Sequence, residues 1–316
     1  MKLLVTRRMT DAAEEALRAR FDAVVLDRNE GLSVDEAARA LSEYDAIMPT
    51  LGDRFTAEAF SGTPRCRLLA NFGAGYNHID TAAAAAAGVA VTNTPDAVTE
   101  ATADIALTLM LMTARRAGEG ERLLRRGAWT GWTPTQLLGR HVSGKTVGII
   151  GMGRIGKAIA RRCHFGFDMT VIFHNRSLVS ALDFPARQVS GLDELLAQAD
   201  FAVIAVPGGA GTRHMIGDAQ LDRLGPRSFL INIARGDVVE EAALVRALQQ
   251  GRIAGAGLDV YEFEPRVAPE LVAMENVTLL PHLGTAAEEV RTAMAMRALN
   301  NLIAFAEGRA LPDRVN

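Results

Sequence analysis

The stretch from Val147 to Ser177 limits the possible folds more than any other. An apolar tetrapeptide, Val147-Gly148-Ile149-Ile150, runs into Gly151-Met152-Gly153-Arg154-Ile155-Gly156; an amphipathic segment to Gly166 follows, then a second apolar run, Met169 to Phe173. Strand, glycine turn, helix and strand in that order make one βαβ half of a dinucleotide-binding fold. Gly151 permits the tight turn, Gly153 lets the backbone approach a pyrophosphate with no Cβ between them, and Gly156 lets the helix lie close on the strand. The N–H groups that open the helix, around Arg154 and Ile155, then face the phosphates, where the helix dipole favours negative charge. The glycine pattern alone would also fit a loop without a ligand. The flanking strand and helix argue against that reading.

The end of the second strand selects between dinucleotides. An acidic residue about 20 positions past the glycines would hold a ribose 2′-hydroxyl and repel a 2′-phosphate. This chain has His174-Asn175-Arg176-Ser177 there instead. Arg176 can pair with a phosphate dianion, and Asn175 and Ser177 can add neutral hydrogen bonds. The expectation is NADP(H) as the preferred cofactor with NAD(H) possible; the plain alternative makes Arg176 an ordinary surface arginine.

The 316 residues, 49% hydrophobic and 22% charged, suffice for two domains of ordinary size. A formal net charge of −3 without a long basic run points to neither nucleic acid nor an acidic membrane surface as partner. Cys66 and Cys163 do not form a ligand-spaced cluster, so no disulfide framework or metal is expected. The opening Met1-Lys2-Leu3-Leu4-Val5-Thr6-Arg7 reads as a strand interrupted by charge, not as a signal peptide. No apolar run reaches bilayer length, and a cytoplasmic location is expected.

Along the chain, the periodicity predicts strands at Leu3 to Thr6, Ala23 to Leu26, Asp45 to Pro49, Leu68 to Phe72 and Val89 to Thr92. Helices are expected at Thr10 to Arg20, capped by Thr10 or Asp11, at Ser33 to Ser42, and at Thr81 to Ala87 with Gly88 ending it. Ligands of open parallel sheets sit at the carboxyl ends of strands, which makes Thr50-Leu51-Gly52-Asp53 a candidate substrate wall. The Gly73-Ala74-Gly75-Tyr76-Asn77 loop offers backbone N–H groups suited to a carboxylate, unless it is only a tight turn.

Thr99 to Arg116 is apolar nearly all round and must be buried on more than one side, as a domain connector or subunit interface would be. Trp129 and Trp132, in the polar segment Glu119 to Gly139, are expected to pack against another surface. Helices at Leu192 to Gln198, Asp218 to Leu224 and Val238 to Gln249 alternate with strands at Phe201 to Val206, Ser228 to Ile233, Ala256 to Val260 and Val277 to Leu280. A final helix, Thr285 to Glu307, can return the chain to the first domain.

Three of these strands end in reactive side chains. Ile233-Ala234-Arg235-Gly236 offers an arginine, Asp259-Val260-Tyr261-Glu262-Phe263-Glu264-Pro265 offers carboxylates, and Leu280-Pro281-His282-Leu283-Gly284 offers a histidine. A nicotinamide carries hydride, so the protein must supply binding, orientation and a proton. Arg235 can grip a carboxylate or carbonyl oxygen, His282 can shuttle a proton near neutral pH, and Glu264 can orient the imidazole and favour its charged form. Singly, each has a plainer role as a salt-bridge, turn or core residue. Their joint occurrence points to catalysis.

These segments, with Asn71-Phe72-Gly73-Ala74-Gly75-Tyr76-Asn77-His78-Ile79-Asp80, resemble the D-isomer-specific 2-hydroxyacid dehydrogenases over nearly the whole chain, and among them the NADP-preferring glyoxylate and hydroxypyruvate reductases. The resemblance implies an α/β architecture of two doubly wound parallel-sheet domains, a Rossmann-type cofactor domain inserted in a flavodoxin-like substrate domain. The substrate domain is then discontinuous, 1–98 and 287–316, around a cofactor domain of 99–286. It also implies that Arg235, Glu264 and His282 are the catalytic set and that Ala74 and Gly75 meet the substrate carboxylate; Leu51, in the candidate wall after the third strand, is expected beside the substrate from its place at a strand end. Asp259 is implied on the nicotinamide carboxamide, and Val206, Pro207 and Thr212 beside the adenosine. Ile233, Ala234, His282 and Gly284 complete the cofactor's surroundings.

By the same likeness the chain forms a homodimer through residues 99–139, with Trp132 reaching the partner's active site. The expected reaction is NADPH-dependent reduction of a small 2-oxo acid, glyoxylate or hydroxypyruvate, to the D-2-hydroxy acid, with His282 as proton donor. One rival is a larger 2-oxo acid such as 2-ketogluconate or an aryl pyruvate. Another, of a different class, is a dinucleotide-sensing corepressor that binds peptide partners.

Overall fold

A computed structural model describes all 316 residues, and the chain divides into two compact units, Met1–Val98 with Thr285–Asn316, and Thr99–Gly284. The first contains β1 (Lys2–Val5), α1 (Asp11–Arg18), β2 (Asp22–Val25), α2 (Val34–Glu43), β3 (Ala46–Met48), β4 (Leu68–Ala70), α3 (Thr81–Ala86), β5 (Ala90–Thr92) and, last in chain order, α11 (Glu288–Ala306). Its five strands run parallel in the order β2-β1-β3-β4-β5. Both faces are covered, which is why β3 and β4 are continuously apolar and buried rather than alternating. One apolar layer gathers Leu41, Phe55, Phe60 and Val91; the other gathers Leu17, Met48, Leu299 and Leu302.

The second unit contains α4 (Thr99–Ala114), α5 (Ala117–Arg125), β6 (Thr146–Ile150), α6 (Arg154–Phe167), β7 (Thr170–His174), β8 (Arg187–Gln188), α7 (Leu192–Leu196), β9 (Phe201–Ile204), α8 (Asp218–Leu224), β10 (Phe229–Asn232), α9 (Glu241–Gln249), β11 (Gly255–Leu258), α10 (Pro269–Ala273) and β12 (Val277–Leu279). Its seven strands are parallel in the order β12-β11-β10-β9-β6-β7-β8. The chain winds outward from β6 through β7 to β8, then returns to place β9 on the other side of β6. The crevice at the carboxyl ends of β6 and β9 is therefore a topological switch point, where open α/β sheets bind ligands. α4 and α6 bury one face with Leu109, Met110, Ile159 and Cys163; the helices α7, α8 and α9 bury the other with Leu196, Leu221 and Leu244.

Several local expectations need correction. The helix predicted through Arg116 stops at Ala114, because Arg116 turns left-handed (φ 52°), and α5 then forms where the sequence reading named no element. α5 carries two glycines and buries no residue, so neither propensity nor core pattern announced it. Thr10 does not cap α1 with its side chain; its hydroxyl pairs with that of Thr292 at 2.8 Å. Ser33 caps α2 in a reciprocal box with Glu36. α9 begins at Glu241 rather than Val238, since Gly236–Val238 forms a separate tight turn. α10 and the two-residue β8 were not anticipated: segments that short show no periodicity. No helix is long and apolar enough to cross a membrane.

Candidate functional site

The glycine turn after β6 has the shape its sequence requires. Gly151 adopts φ 98°, and a Cβ there would lie 2.8 Å from Ala205 O and from Val206 Cγ1, so this turn lies against the end of β9. A Cβ on Gly156 would sit 2.1 Å from Gly151 O, which no other residue could tolerate. Gly153, the N-cap of α6, is exposed, and a Cβ there would meet nothing within 4 Å. The first turn of α6, with Arg154 and Ile155, presents backbone N–H groups that lack intrahelical acceptors. Open space over a helix N-terminus at the switch point fits a dinucleotide diphosphate.

Beyond β7, the Asn175–Ser177 turn lies next to this one: Asn175 Oδ1 accepts from Met152 N at 3.2 Å. Asn175 Nδ2 donates to Ser177 O at 3.0 Å and to Ser177 Oγ at 3.2 Å. The Asn175 amide thus holds the loop together, where the sequence suggested a direct ligand contact. Arg176 is exposed and makes no ion pair. After β9, Thr212 Oγ1 closes the Val206 to Thr212 loop by donating to Pro207 O at 2.8 Å.

Arg235, Glu264 and His282 follow the neighbouring strands β10, β11 and β12. His282 Nδ1 lies 3.0 Å from Glu264 Oε2, while Glu264 Oε1 accepts from Tyr261 N at 3.1 Å. Burial pushes the Glu264 carboxyl up, but hydrogen bonding and charge from His282, the Tyr261 N–H and the Arg235 charge outweigh it. The net position is below the ordinary carboxylate value. Arg235 is partly buried, and the one hydrogen bond of its guanidinium runs from Nη1 to Ala234 O at 2.7 Å. Burial lowers its pKa against the pull of Glu264 and Asp237. A guanidinium has five donors, so most of this one's capacity is available to an anion.

The turn carrying His282 is held from beneath. Asp259 is 1% exposed, and its carboxylate accepts from Leu283 N at 2.6 Å and Gly284 N at 2.8 Å, while its carbonyl accepts from His282 N at 2.9 Å. Burial raises the Asp259 carboxyl despite those bonds. Thr102 Oγ1 adds a bond to Gly284 O at 3.1 Å. The Tyr261 hydroxyl donates to Leu280 O at 2.8 Å and also contacts Leu258 O at 3.3 Å, joining the ends of β11 and β12. Sequence reasoning gave Tyr261 and Thr102 no role, since an ordinary tyrosine or threonine carries no signal of its contacts. His282 itself stands at φ 56°, an unusual conformation for a non-glycine residue.

In the other unit, the loop after β4 turns its carbonyls inward. Asn71 Nδ2 donates to Gly73 O at 2.9 Å and Gly75 O at 3.1 Å, and Asn93 Nδ2 donates to Ala74 O at 2.8 Å. The N–H groups of Ala74 and Gly75 make no hydrogen bond, which leaves a small cradle for an anion. Leu51 is 41% exposed, and its carbonyl accepts from Arg7 Nη1 at 2.6 Å. Trp132 is 79% exposed and Trp129 49%, the latter donating to Gln136 Oε1 at 3.1 Å. The surface expected to cover Trp132 is not found within the single chain.

Known proteins supply an independent comparison. Residues 107–284 match the NAD binding domain of D-isomer specific 2-hydroxyacid dehydrogenases. A glyoxylate reductase from Thermococcus onnurineus is 42% identical, the alignment covering 100% of this chain and 96% of the relative. A glyoxylate reductase from Pyrococcus furiosus is 40% identical over 100% of this chain and 95% of its own. Among solved structures, an NADPH-dependent glyoxylate/hydroxypyruvate reductase from Sinorhizobium meliloti in complex with NADP and malonate superposes with a TM-score of 0.89. It is 36% identical, covering 99% of this chain and 96% of that one.

Proposed function

The chain belongs to the D-isomer specific 2-hydroxyacid dehydrogenase family, and we propose that it reduces a small 2-oxo acid, glyoxylate to the achiral glycolate or hydroxypyruvate to the D-2-hydroxy acid, with NADP(H) as preferred cofactor. It is an oxidoreductase with an NAD(P)-binding domain. The glyoxylate reductases among its relatives support reduction of a small 2-oxo acid. One observation carries the catalytic reading: a hydrogen-bonded His282–Glu264 pair follows the strands beside the one that leads to Arg235, whose guanidinium lacks an anion.

A reduced nicotinamide, when bound, supplies hydride to the substrate's C2. The remaining tasks fall to this chain. Arg235 grips the carboxylate and carbonyl oxygen of the 2-oxo acid, compensating its own buried charge. His282 delivers a proton from Nε2 to the carbonyl oxygen as negative charge develops there. Glu264, on Nδ1, fixes the imidazole's orientation, the role a carboxylate plays beside a catalytic histidine. Asp259 holds the His282 turn through two backbone N–H groups.

On the cofactor side, the α6 N-terminus and the Gly151 to Gly156 turn take the diphosphate, and Arg176 with the Ser177 hydroxyl takes the 2′-phosphate. The S. meliloti enzyme's NADPH dependence supports that preference. A homodimer through residues 99–139 completes the proposal, supported by the exposure of Trp132 and the nearly all-round apolarity of α4.

The test is to follow NADPH absorbance with glyoxylate and with hydroxypyruvate, running NADH in parallel at equal concentration. Rapid NADPH oxidation is expected. Oxidation of NADH alone would remove the Arg176 assignment and keep the reaction; turnover only with larger 2-oxo acids would correct the substrate.

A further inference from the structure

The turn that ends β7 is built from outside as well as from within. β8 contains only Arg187 and Gln188, and its register sets Gln188 opposite Phe173, at the edge of the sheet. From there the Gln188 amide makes three hydrogen bonds, two to this turn and one to Val179 just beyond it. Nε2 donates to Ser177 O at 3.0 Å and to Asn175 O at 3.3 Å, and Oε1 accepts from Val179 N at 3.0 Å. A glutamine suits the position because one amide both donates and accepts. The Asn175 side chain is spent on Met152 N and on Ser177, so it has little left for a ligand. The Ser177 hydroxyl accepts from Asn175 Nδ2 and keeps its own hydrogen to donate outward.

We propose that Gln188 is a positioning residue for cofactor selectivity: it fixes the Asn175–Ser177 turn so that Arg176 and the Ser177 hydroxyl meet a 2′-phosphate together. The inference rests on the NADP(H) reading given above. Arg176 sits on a long flexible stem, and its affinity for a phosphate depends on how little motion must be lost on contact. Gln188 fixes the backbone on both sides of Arg176 before the ligand arrives, so that less of that motion has to be lost on contact. Its own hydrogen bonds reach neither the Gly151 to Gly156 turn nor the His282 turn; they go to the segment that meets the group distinguishing NADPH from NADH. Asn175 lacks this separation, because its Oδ1 also holds Met152 N in the glycine turn.

The test uses the full-length enzyme and two substitutions, Gln188→Leu and Gln188→Met, which keep the β8 backbone pairing and delete the three amide bonds. Dissociation constants for NADPH and NADH, and for 2′,5′-ADP against 5′-ADP, are measured by titration calorimetry, and KM and kcat with glyoxylate for both cofactors. The expected result is a loss of about tenfold in affinity for NADPH and 2′,5′-ADP, appearing in KM, with NADH and 5′-ADP within about twofold of wild type. Equal weakening of both cofactors would reduce Gln188 to a fold-stabilising residue and overturn the inference. An unchanged preference in a selective wild type would overturn it too, while leaving the NADP(H) reading intact. A wild type that binds NADH as tightly as NADPH would instead retire the reading itself, and the inference with it. If both variants fail to fold, 2′,5′-ADP binding by Gln188→Asn, neutral but one methylene too short to make the same bonds, decides: retained binding overturns the inference and selective loss supports it.

Discussion

His282 Nδ1 and Glu264 Oε2 lie 3.0 Å apart, although the residues come from loops after different strands, β12 and β11. The pair leaves Nε2, the other ring nitrogen, without a protein partner and directs the imidazole's chemistry through that atom. Replacing His282 by Ala should lower kcat by about 10²-fold to 10⁴-fold, the usual contribution of a positioned acid. NADPH affinity, read by fluorescence titration, should stay within a few-fold. Unchanged turnover would remove His282 as the proton donor.

Glu264 connects the pair to pH. Its folded carboxyl lies below the ordinary glutamate value, so its contribution to stability is complete above about pH 4.3, the unfolded value, and is lost as pH falls through the lower folded value. In urea titrations, the midpoint difference between wild type and Glu264→Gln should be constant near neutrality and shrink below about pH 4. A difference that grew on acidification would contradict the sign. Glu264→Gln should also depress kcat, since the imidazole loses the carboxylate that orients it.

Arg235→Lys keeps the charge and loses the fork. If Arg235 grips the 2-oxo acid bidentately, kcat/KM for glyoxylate should fall about 10²-fold with NADPH binding preserved. A Lys variant with wild-type kinetics would mean that a point charge suffices there.

Arg176→Ala should cost about tenfold to a hundredfold in NADPH affinity and leave NADH unaffected, because only the 2′-phosphate carries the extra charge. Raising the salt concentration should shrink the wild-type preference, as expected for an exposed ion pair.

Sedimentation should give twice the 33.8 kDa chain mass if residues 99–139 bind a second copy. In that assembly Trp132→Ala should leave the mass unchanged and raise KM for the 2-oxo acid. A monomer with full activity would separate Trp132 from the site.

The sequence determined the parts of this protein that depend on local chemistry. Gly151 and Gly156 announced the turn because each is required by a contact or a φ that a side chain forbids, with Gly153 leaving open space over the helix N-terminus between them, and the apolar β6 and β9 announced a sheet covered on both faces. The reactive trio was legible as residue types at strand ends. Tertiary structure alone decided what those residues touch. Only the parallel order β10-β11-β12 sets Glu264 against His282, and only the folded loop shows Asp259 gripping the backbone of the His282 turn. Gln188 is the extreme case: its strand is too short for periodicity, and its three partners are reached across the sheet edge. The physical reason is range. Backbone sterics and hydrophobic period act over a few neighbouring residues and are written along the chain, whereas a hydrogen bond between distant loops exists only once the sheet has brought them together.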